Sequence, residues 1–449
     1  MRKLGKSGSF WVFLNSLMIF LLCSGLASSQ EVDLPQPGKP LSLNDCVALA
    51  LRFNPALRSN QATVEAQRAR VEQALAAYYP QINFNANYNT ATSNFATLGG
   101  TTVGVSRGQY NWTFTDLFSM GPTLNQLIYD FGRTSNSVKI NRENVKANEQ
   151  DLVTTKQAVI LNVQQAYFGV LQTQRLIEVA KEVVSQAKQY LEQAQGFYQA
   201  GTRPKIDVTK AEVNVANAQL ALIQTSNNFA VAQVTLNNAI GFAQPISFPV
   251  EDTLGFAPRE FQLEDIVKTA FDQRPEIQQI KAKQRSQEAA INLAQSSYYP
   301  ILSGNASNLY RTNTVPNDMV WDWSFGISLS VPLFSGFSSP NQVSEQRANL
   351  KNLLSQEETL KLNIRLEAEQ AYLAQKQAAE QVRVTEIAVV QAKENYDLAS
   401  GRYQVGVGSP LEITDAEVLL ANAKANNIQA LYNYKVAEAR IERAMGVNK

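Results

Sequence analysis

The sequence predicts an α+β membrane protein in which long coiled-coil helices run into lipid-facing β-strands, the whole unit being written twice in one chain. Three observations carry this. The chain matches itself over nearly its whole length. Each copy holds strands that alternate strictly between apolar and polar residues. Each copy also holds a heptad-patterned stretch, in the first copy free of proline from Arg133 to Gln199, too long for an ordinary globular domain.

Composition narrows the field. The 449 residues carry 40 Lys and Arg against 39 Asp and Glu, with no histidine and two cysteines. Without histidine, the usual general base and the commonest metal ligand are missing. A net charge of +1 gives no basic face for nucleic acid. A mean hydropathy of −0.22 does not suit a polytopic helical membrane protein. No nucleophile–base pair, metal-ligand spacing or phosphate loop is visible, so no enzyme, cofactor or metal is expected.

Residues 1–29 read as a cleaved secretory signal. Arg2, Lys3 and Lys6 precede the apolar run from Phe10 to Leu22, and Gly25 to Ser29 supplies small residues for cleavage. Cys23 follows Leu22, where lipidation wants a small residue. Cleavage leaves Cys46 alone, either a reactive thiol or a small buried side chain.

The first copy spans 41–241 and the second 263–446, joined by a Pro-containing linker over 242–262. Leu43 to Pro80 aligns with Leu263 to Pro300 at an offset of 220, ending on Tyr78-Tyr79-Pro80 and Tyr298-Tyr299-Pro300. From Leu127 onward the offset is 205, so the first copy holds 15 extra residues between Pro80 and Leu127. Each copy is expected to run helix, strand, strand, long helix, turn, helix.

After each Tyr-Tyr-Pro the pattern turns to period 2. Ile82, Phe84, Ala86 and Tyr88 alternate with asparagines, and Trp321, Trp323, Phe325, Ile327 and Leu329 alternate with Asp, Ser and Gly. Such faces suit a soluble sandwich or an outer-membrane barrel. Trp112, Trp321 and Trp323 all fall on the apolar faces, as membrane-interface aromatics would, which favours the barrel. Four strands are too few to close one, so closure requires copies of the chain. The loops around Thr97 to Gly108 and Asn313 to Asp318 are expected outside.

The long helix carries Val163, Val170, Ile177, Val184, Leu191 and Tyr198 at heptad spacing, with Ala166, Thr173, Ala180, Ala187 and Ala194 between them. Small residues at alternate seam positions let helices approach closely. Heptads alone fit an antiparallel coiled coil equally well. Attached twice to lipid-type strands, they point to a helical tube continuing a β-barrel.

In this order and repeated, the Tyr-Tyr-Pro junctions, the exits Leu127-Ile128-Tyr129-Asp130-Phe131-Gly132-Arg133 and Pro332-Leu333-Phe334-Ser335-Gly336, and the two helix–helix turns make the chain resemble the TolC-like outer membrane efflux protein family. The resemblance implies a homotrimer forming a twelve-stranded outer-membrane barrel continued by an α-helical barrel in the periplasm. It implies a passive exit duct of a tripartite efflux pump or type I secretion system. The partners would be a periplasmic adaptor (membrane fusion) protein and an inner-membrane RND, ABC or MFS transporter, with outer-membrane lipid around the barrel.

The turns are Tyr198 to Val208 and Tyr403 to Ala416. Their acids either simply open the next helix, where its dipole favours negative charge, or form a gate. By the resemblance, Glu412 and Asp415 occupy the positions of an acidic constriction pair, and three residues apart they share a helical face. Asp207 and Tyr403 occupy positions that link neighbouring helices in the closed state. Where some members have a gate arginine in the second turn this chain has Gly408, and Arg203 stands in the first turn instead. Gly201, Thr202, Arg203, Gly406, Val407 and Gly408 are the candidate adaptor contacts. A periplasmic adaptor would show only one helical hairpin, and a structural coiled-coil envelope protein would explain neither the aromatic strands nor the duplication.

Overall fold

The computed structural model describes residues 40–92, 114–242, 248–312 and 320–447. The signal segment, both expected exterior loops and Trp112 lie outside the described residues.

Helix α1 (Leu43–Phe53) starts at a capping box: the Ser42 hydroxyl accepts from the Asp45 amide at 3.2 Å, and Asp45 accepts from the Ser42 amide at 3.1 Å. Asn54 then caps α2 (Pro55–Leu75), where Pro55 takes the first helical position at no hydrogen-bond cost. A single 3₁₀ turn, Ala76–Tyr78, leads through Tyr-Tyr-Pro into β1 (Gln81–Thr92), which pairs with β2 (Phe114–Tyr129). The first long helix, α3 (Arg133–Gln199), has 67 residues, about 100 Å of rise, and α4 (Lys205–Ile240) returns alongside it. The second copy repeats the order as α5 (Leu263–Gln273), α6 (Pro275–Gln295), β3 (Ile301–Thr312), β4 (Val320–Ser330), α7 (Ser338–Gln404) and α8 (Pro410–Met445). The stretch free of proline predicted for α3 and the observed helix share both ends.

The strands form one antiparallel sheet in the order β1-β2-β3-β4, so the two hairpins join through β2 and β3. Paired residues share a face. The row Ile82, Leu124, Ala306, Phe325 crosses the apolar face, and the row Asn83, Thr123, Ser307, Ser324 crosses the polar one. The polar face is cross-linked by Asn85 to Thr123 at 3.1 Å, Ser303 with Ser328 at 2.8 Å and Ser307 with Ser324 at 2.7 Å. On the apolar face Trp321 meets Trp323 edge to face at 6.3 Å and Trp323 stacks on Phe325 at 6.0 Å, and all three are exposed. Among the described residues no helix covers the sheet, and β4 is exposed throughout its length. Such an apolar face would be costly in water.

Two features of β2 escaped the sequence reading. Pro122, which cannot donate, lies in an inner strand, between the pairs Met120–Tyr310 and Thr123–Ser307, which keep one register. At Gly121 the strands approach so closely that a Cβ would fall 2.0 Å from the Asn308 carbonyl oxygen.

The helices follow the strand order. Near the sheet α3 packs against α2 and α6, and α7 packs against α6; beyond, α3 packs against α4 and α8, and α8 against α7. The layer therefore has α2 and α4 at one edge and α7 at the other. Gly241 and Gly446 end α4 and α8 in left-handed conformation, at φ 97° and 75°, seated on Asn54 and Arg274 at the heads of α2 and α6. A Cβ at Gly241 would lie 2.9 Å from the Asn54 Cα.

The largest core lies at this junction, around Cys46, Tyr167, Val170, Leu236, Ile240 and Tyr434. The segment read as a linker enters it: Phe248, Val250 and Leu254 are buried, and Val250 bridges Leu41. Two buried tyrosines pin it, Tyr167 donating to the Glu251 carbonyl at 2.6 Å and Tyr434 to that of Ala257 at 2.7 Å. Cys46 is fully enclosed, and burial, with Asp45 adding, pushes its thiol up to about 12. Of the two readings of Cys46, the structure supports the buried side chain. Among the described residues no helix is long and apolar enough to cross a membrane.

Candidate functional site

The two hairpin tips sit side by side at the end of the helices farthest from the sheet. Each long helix ends in a Schellman turn. Gly201 and Gly406 adopt φ 74° and 82°, and the amides of Thr202 and Val407 donate back to the carbonyls of Phe197 at 3.0 Å and Arg402 at 3.1 Å. Pro204 precedes α4, while the Ser409 hydroxyl accepts from the Leu411 amide at 3.2 Å to cap α8.

Inside the tips is a small core of Tyr190, Ala194, Val208, Ala211, Tyr403 and Ile413. Tyr403 from α7 is fully buried, its ring 5.2 Å from Tyr190 and 5.6 Å, edge-on, from Phe197, both on α3. Asp207 is also buried, in the first turn of α4. Burial pushes the Tyr190 hydroxyl up, with Tyr403 and Asp207 adding to the rise. The structure thus brings Asp207 and Tyr403 to one cluster within a single chain.

Glu412 and Asp415 stand apart from that cluster, both solvent-exposed on α8. Arg402 reaches Glu412 at 3.4 Å across the turn. Both partners are about half exposed, so the pair adds little stability but offsets one of the two negative charges. The sequence reading overlooked Arg402, although a base in the last turn of α7 opposite an acid in the first turn of α8 was its available signal.

Gly201, Thr202, Gly406 and Val407 are exposed on the tip surface. Gly408 is buried, and Arg203 is half-buried and turned across to the second hairpin. Exposed Ile206, Val405 and Leu411 add an apolar rim that the sequence reading did not single out.

Glu417, two residues beyond Asp415, is a further group that the sequence did not reveal. Burial alone pushes its carboxyl up to about 7, and its Oε1 has no hydrogen-bond partner. Among the described residues no cluster of three or more Asp, Glu or Cys is placed to hold a metal ion.

The profile of the family described as outer membrane efflux protein matches residues 47–242 and 266–447, most of the chain and both of its copies. The chain belongs to the outer membrane efflux protein family. The outer membrane efflux protein BepC of Brucella suis is 28% identical over 184 residues, 39% of each chain. Outer membrane protein TolC of Escherichia coli is 26% identical over 121 residues, 27% of this chain and 24% of TolC. The matched stretches thus span well under two thirds of these relatives. The fold resembles the CmeC outer membrane channel of Campylobacter jejuni, at a TM-score of 0.75 and 20% identity over 90% of this chain and 85% of that one. It also resembles the outer membrane protein VceC of Vibrio cholerae, at 0.74 and 16% over 90% and 96%. At such identities the likeness to these structures is one of fold.

Proposed function

We propose that the chain is one third of a trimeric outer-membrane exit duct, closed at its helical tips and without chemistry of its own. The observation that carries this is the shape of the layer's edges. Among the described residues, strands β1 and β4 are unpaired on their outer sides, and below them the edge helices expose apolar rows. On α4 these are Ile206, Val213 and Leu220; on α7, Leu366, Leu373 and Ile387. The two edges differ, so copies meet head to tail, which closes into a ring. Three copies give twelve strands with the apolar face to lipid and the Asn- and Ser-rich face to water.

In such a ring Glu412 and Asp415 contribute six carboxylates round the tip, a field that favours cations. The exposed tip surface, Gly201, Thr202, Gly406 and Val407 with its apolar rim, is where a periplasmic adaptor docks. An inner-membrane transporter of the RND, ABC or MFS class supplies the energy, in an efflux pump or a type I secretion system. Family membership and the names of BepC and TolC support the outer membrane as the site of action.

The test is fractionation of expressing cells followed by mass measurement of the purified protein in detergent. A trimer in the outer-membrane fraction supports the reading. A soluble monomer contradicts it.

A further inference from the structure

Between α3 and α4, at the level of the largest core, the helical layer holds an open cavity of about 620 Å³, a size that suits a small molecule. Five amide side chains line it: Asn162, Gln165 and Gln172 from α3, and Asn228 and Asn238 from α4. Thr173 and Thr235 stand among them, their hydroxyls donating to the Gly169 and Val231 carbonyls at 2.9 Å each, so that the oxygens still accept. Ala166, Ala232 and the Tyr432 ring add apolar surface. Among the described residues no Asp, Glu, Lys or Arg lines the cavity. A Cβ at Gly169 would meet nothing within 4 Å, so the space beside this residue is open.

The second copy is built differently at the same places. At the offset of 205, Asn162, Gly169, Thr235 and Asn238 correspond to Glu367, Ala374, Arg440 and Arg443. Glu367 pairs there with Arg274 at 2.6 Å, and Arg443 with Glu276 at 2.9 Å. One copy fills these positions with charged side chains, and the other keeps them neutral and open. The shared framework therefore does not require the neutral lining.

The cavity lies on the side of α3 away from the 242–262 segment. Tyr167 and Arg175 reach that segment, at the Glu251 carbonyl and the Asp252 carboxylate, and Val170 and Gln174 line a second cavity with Phe248 and Pro249. At 3.6 residues per turn, these positions and the neutral cavity's 162, 165, 169 and 172 fall on opposite faces of the helix. A ring closed with α1 and the 242–262 segment inside would fill its own bore. In the duct they lie outside, and the amide-lined face lies inside. The cavity beside the segment carries Glu178 and Lys181, whereas the inner one is neutral.

We propose that the neutral cavity is a cargo subsite in the duct wall, taking uncharged solutes that join an apolar ring or chain to amide or hydroxyl groups. This deepens the duct reading and rests on it, because that reading turns the cavity to the bore. Amide side chains donate and accept at once, and so match such groups in either sense. A charged solute would leave water for a lining that holds no counter-charge, which disfavours it.

The test is a saturation-transfer NMR titration of the purified full-length protein in detergent with three probes of one shape. These are N-acetyltryptophanamide, which is neutral, N-acetyltryptophan, which is an anion, and tryptophanamide, a cation at about pH 6. The neutral probe is expected to bind at least about tenfold tighter than either charged one, and Gly169→Leu, whose side chain enters the open space, to lose that preference with trimer melting unchanged. Equal binding of the three probes by the parent overturns the subsite, and so does undiminished binding in Gly169→Leu. If Gly169→Leu does not assemble, Asn238→Arg, which imports the second copy's residue, replaces it under the same outcomes. Single-channel recording of the same preparation separates the two readings. A conducting parent with no preference among the probes contradicts the subsite alone. A parent that binds the neutral probe yet never conducts contradicts the duct reading, and the cargo role with it.

Discussion

Gly408 and Glu417 lie close together in sequence, and each has a measurable consequence. Gly408→Ala is expected to cost about 1–3 kcal/mol, because the added methyl must displace the Tyr403 or Arg402 backbone. Urea unfolding of the purified protein measures it. Glu417 gives a pH signature. Its folded pKa of about 7 stands above its ordinary 4.5, so its contribution is intact below pH 4.5 and is lost as pH rises to about 7. The full loss is on the order of 3 kcal/mol. Relative to the parent, Glu417→Gln should therefore gain stability between pH 4.5 and 8, read as a growing difference in melting temperature. A difference that stays constant with pH would show that the carboxyl is not buried in the assembled protein. At this scale the sequence was least legible. Asp207, Tyr403, Glu412 and Asp415 were readable as tip residues from the repeated turns, but which were buried was not. Tyr198 and Tyr403 are repeat equivalents, yet one is exposed and the other fully enclosed, a difference set by packing between hairpins far apart in sequence. The turn of Arg203 across to the second hairpin was hidden for the same reason.

The elements themselves were legible because their signals are local. Heptads and the absence of proline marked α3, period-2 alternation marked β1 and β4, and Gly with Pro marked the tips. The course of β2 through Gly121 and Pro122 was not, because residues that usually end a strand are here carried through in register, with a close backbone approach at Gly121. The segment 242–262, with its prolines, reads as a linker, yet Tyr167 and Tyr434 draw it into the core. At the exit of β2, the Asp130 carboxylate accepts from the amides of Gly132 at 3.2 Å and Thr134 at 2.6 Å and from the Thr134 hydroxyl at 2.5 Å. These bonds hold Phe131 and Gly132 at φ 50° and 87° and start α3. Asp130→Ala is expected to cost about 2 kcal/mol and to loosen the strand–helix joint, seen as faster hydrogen exchange at the first amides of α3.

For the whole molecule, duplication explains the architecture. Each copy supplies two strands and the helices that continue them, and packing the copies side by side leaves a layer with an apolar and a polar sheet face and, among the described residues, two unpaired edges. Enclosure of Cys46 at the central junction fits a permanent core there: the folded protein should not react with a thiol reagent at neutral pH, and should react once unfolded in urea. Among the described strand residues, Asp116, Arg311 and Asp322 are the only charges, and the last two form a pair at 3.9 Å, so the strand end of the proposed duct is nearly neutral. In the proposed duct, selection by charge then falls to the tips. The most direct measurement is the reversal potential of single channels in a salt gradient, for the parent and for Glu412→Gln with Asp415→Asn. A cation-selective channel is expected, with a selectivity that falls sharply in the double variant. No channel, or a selectivity that the double variant leaves unchanged, would contradict it.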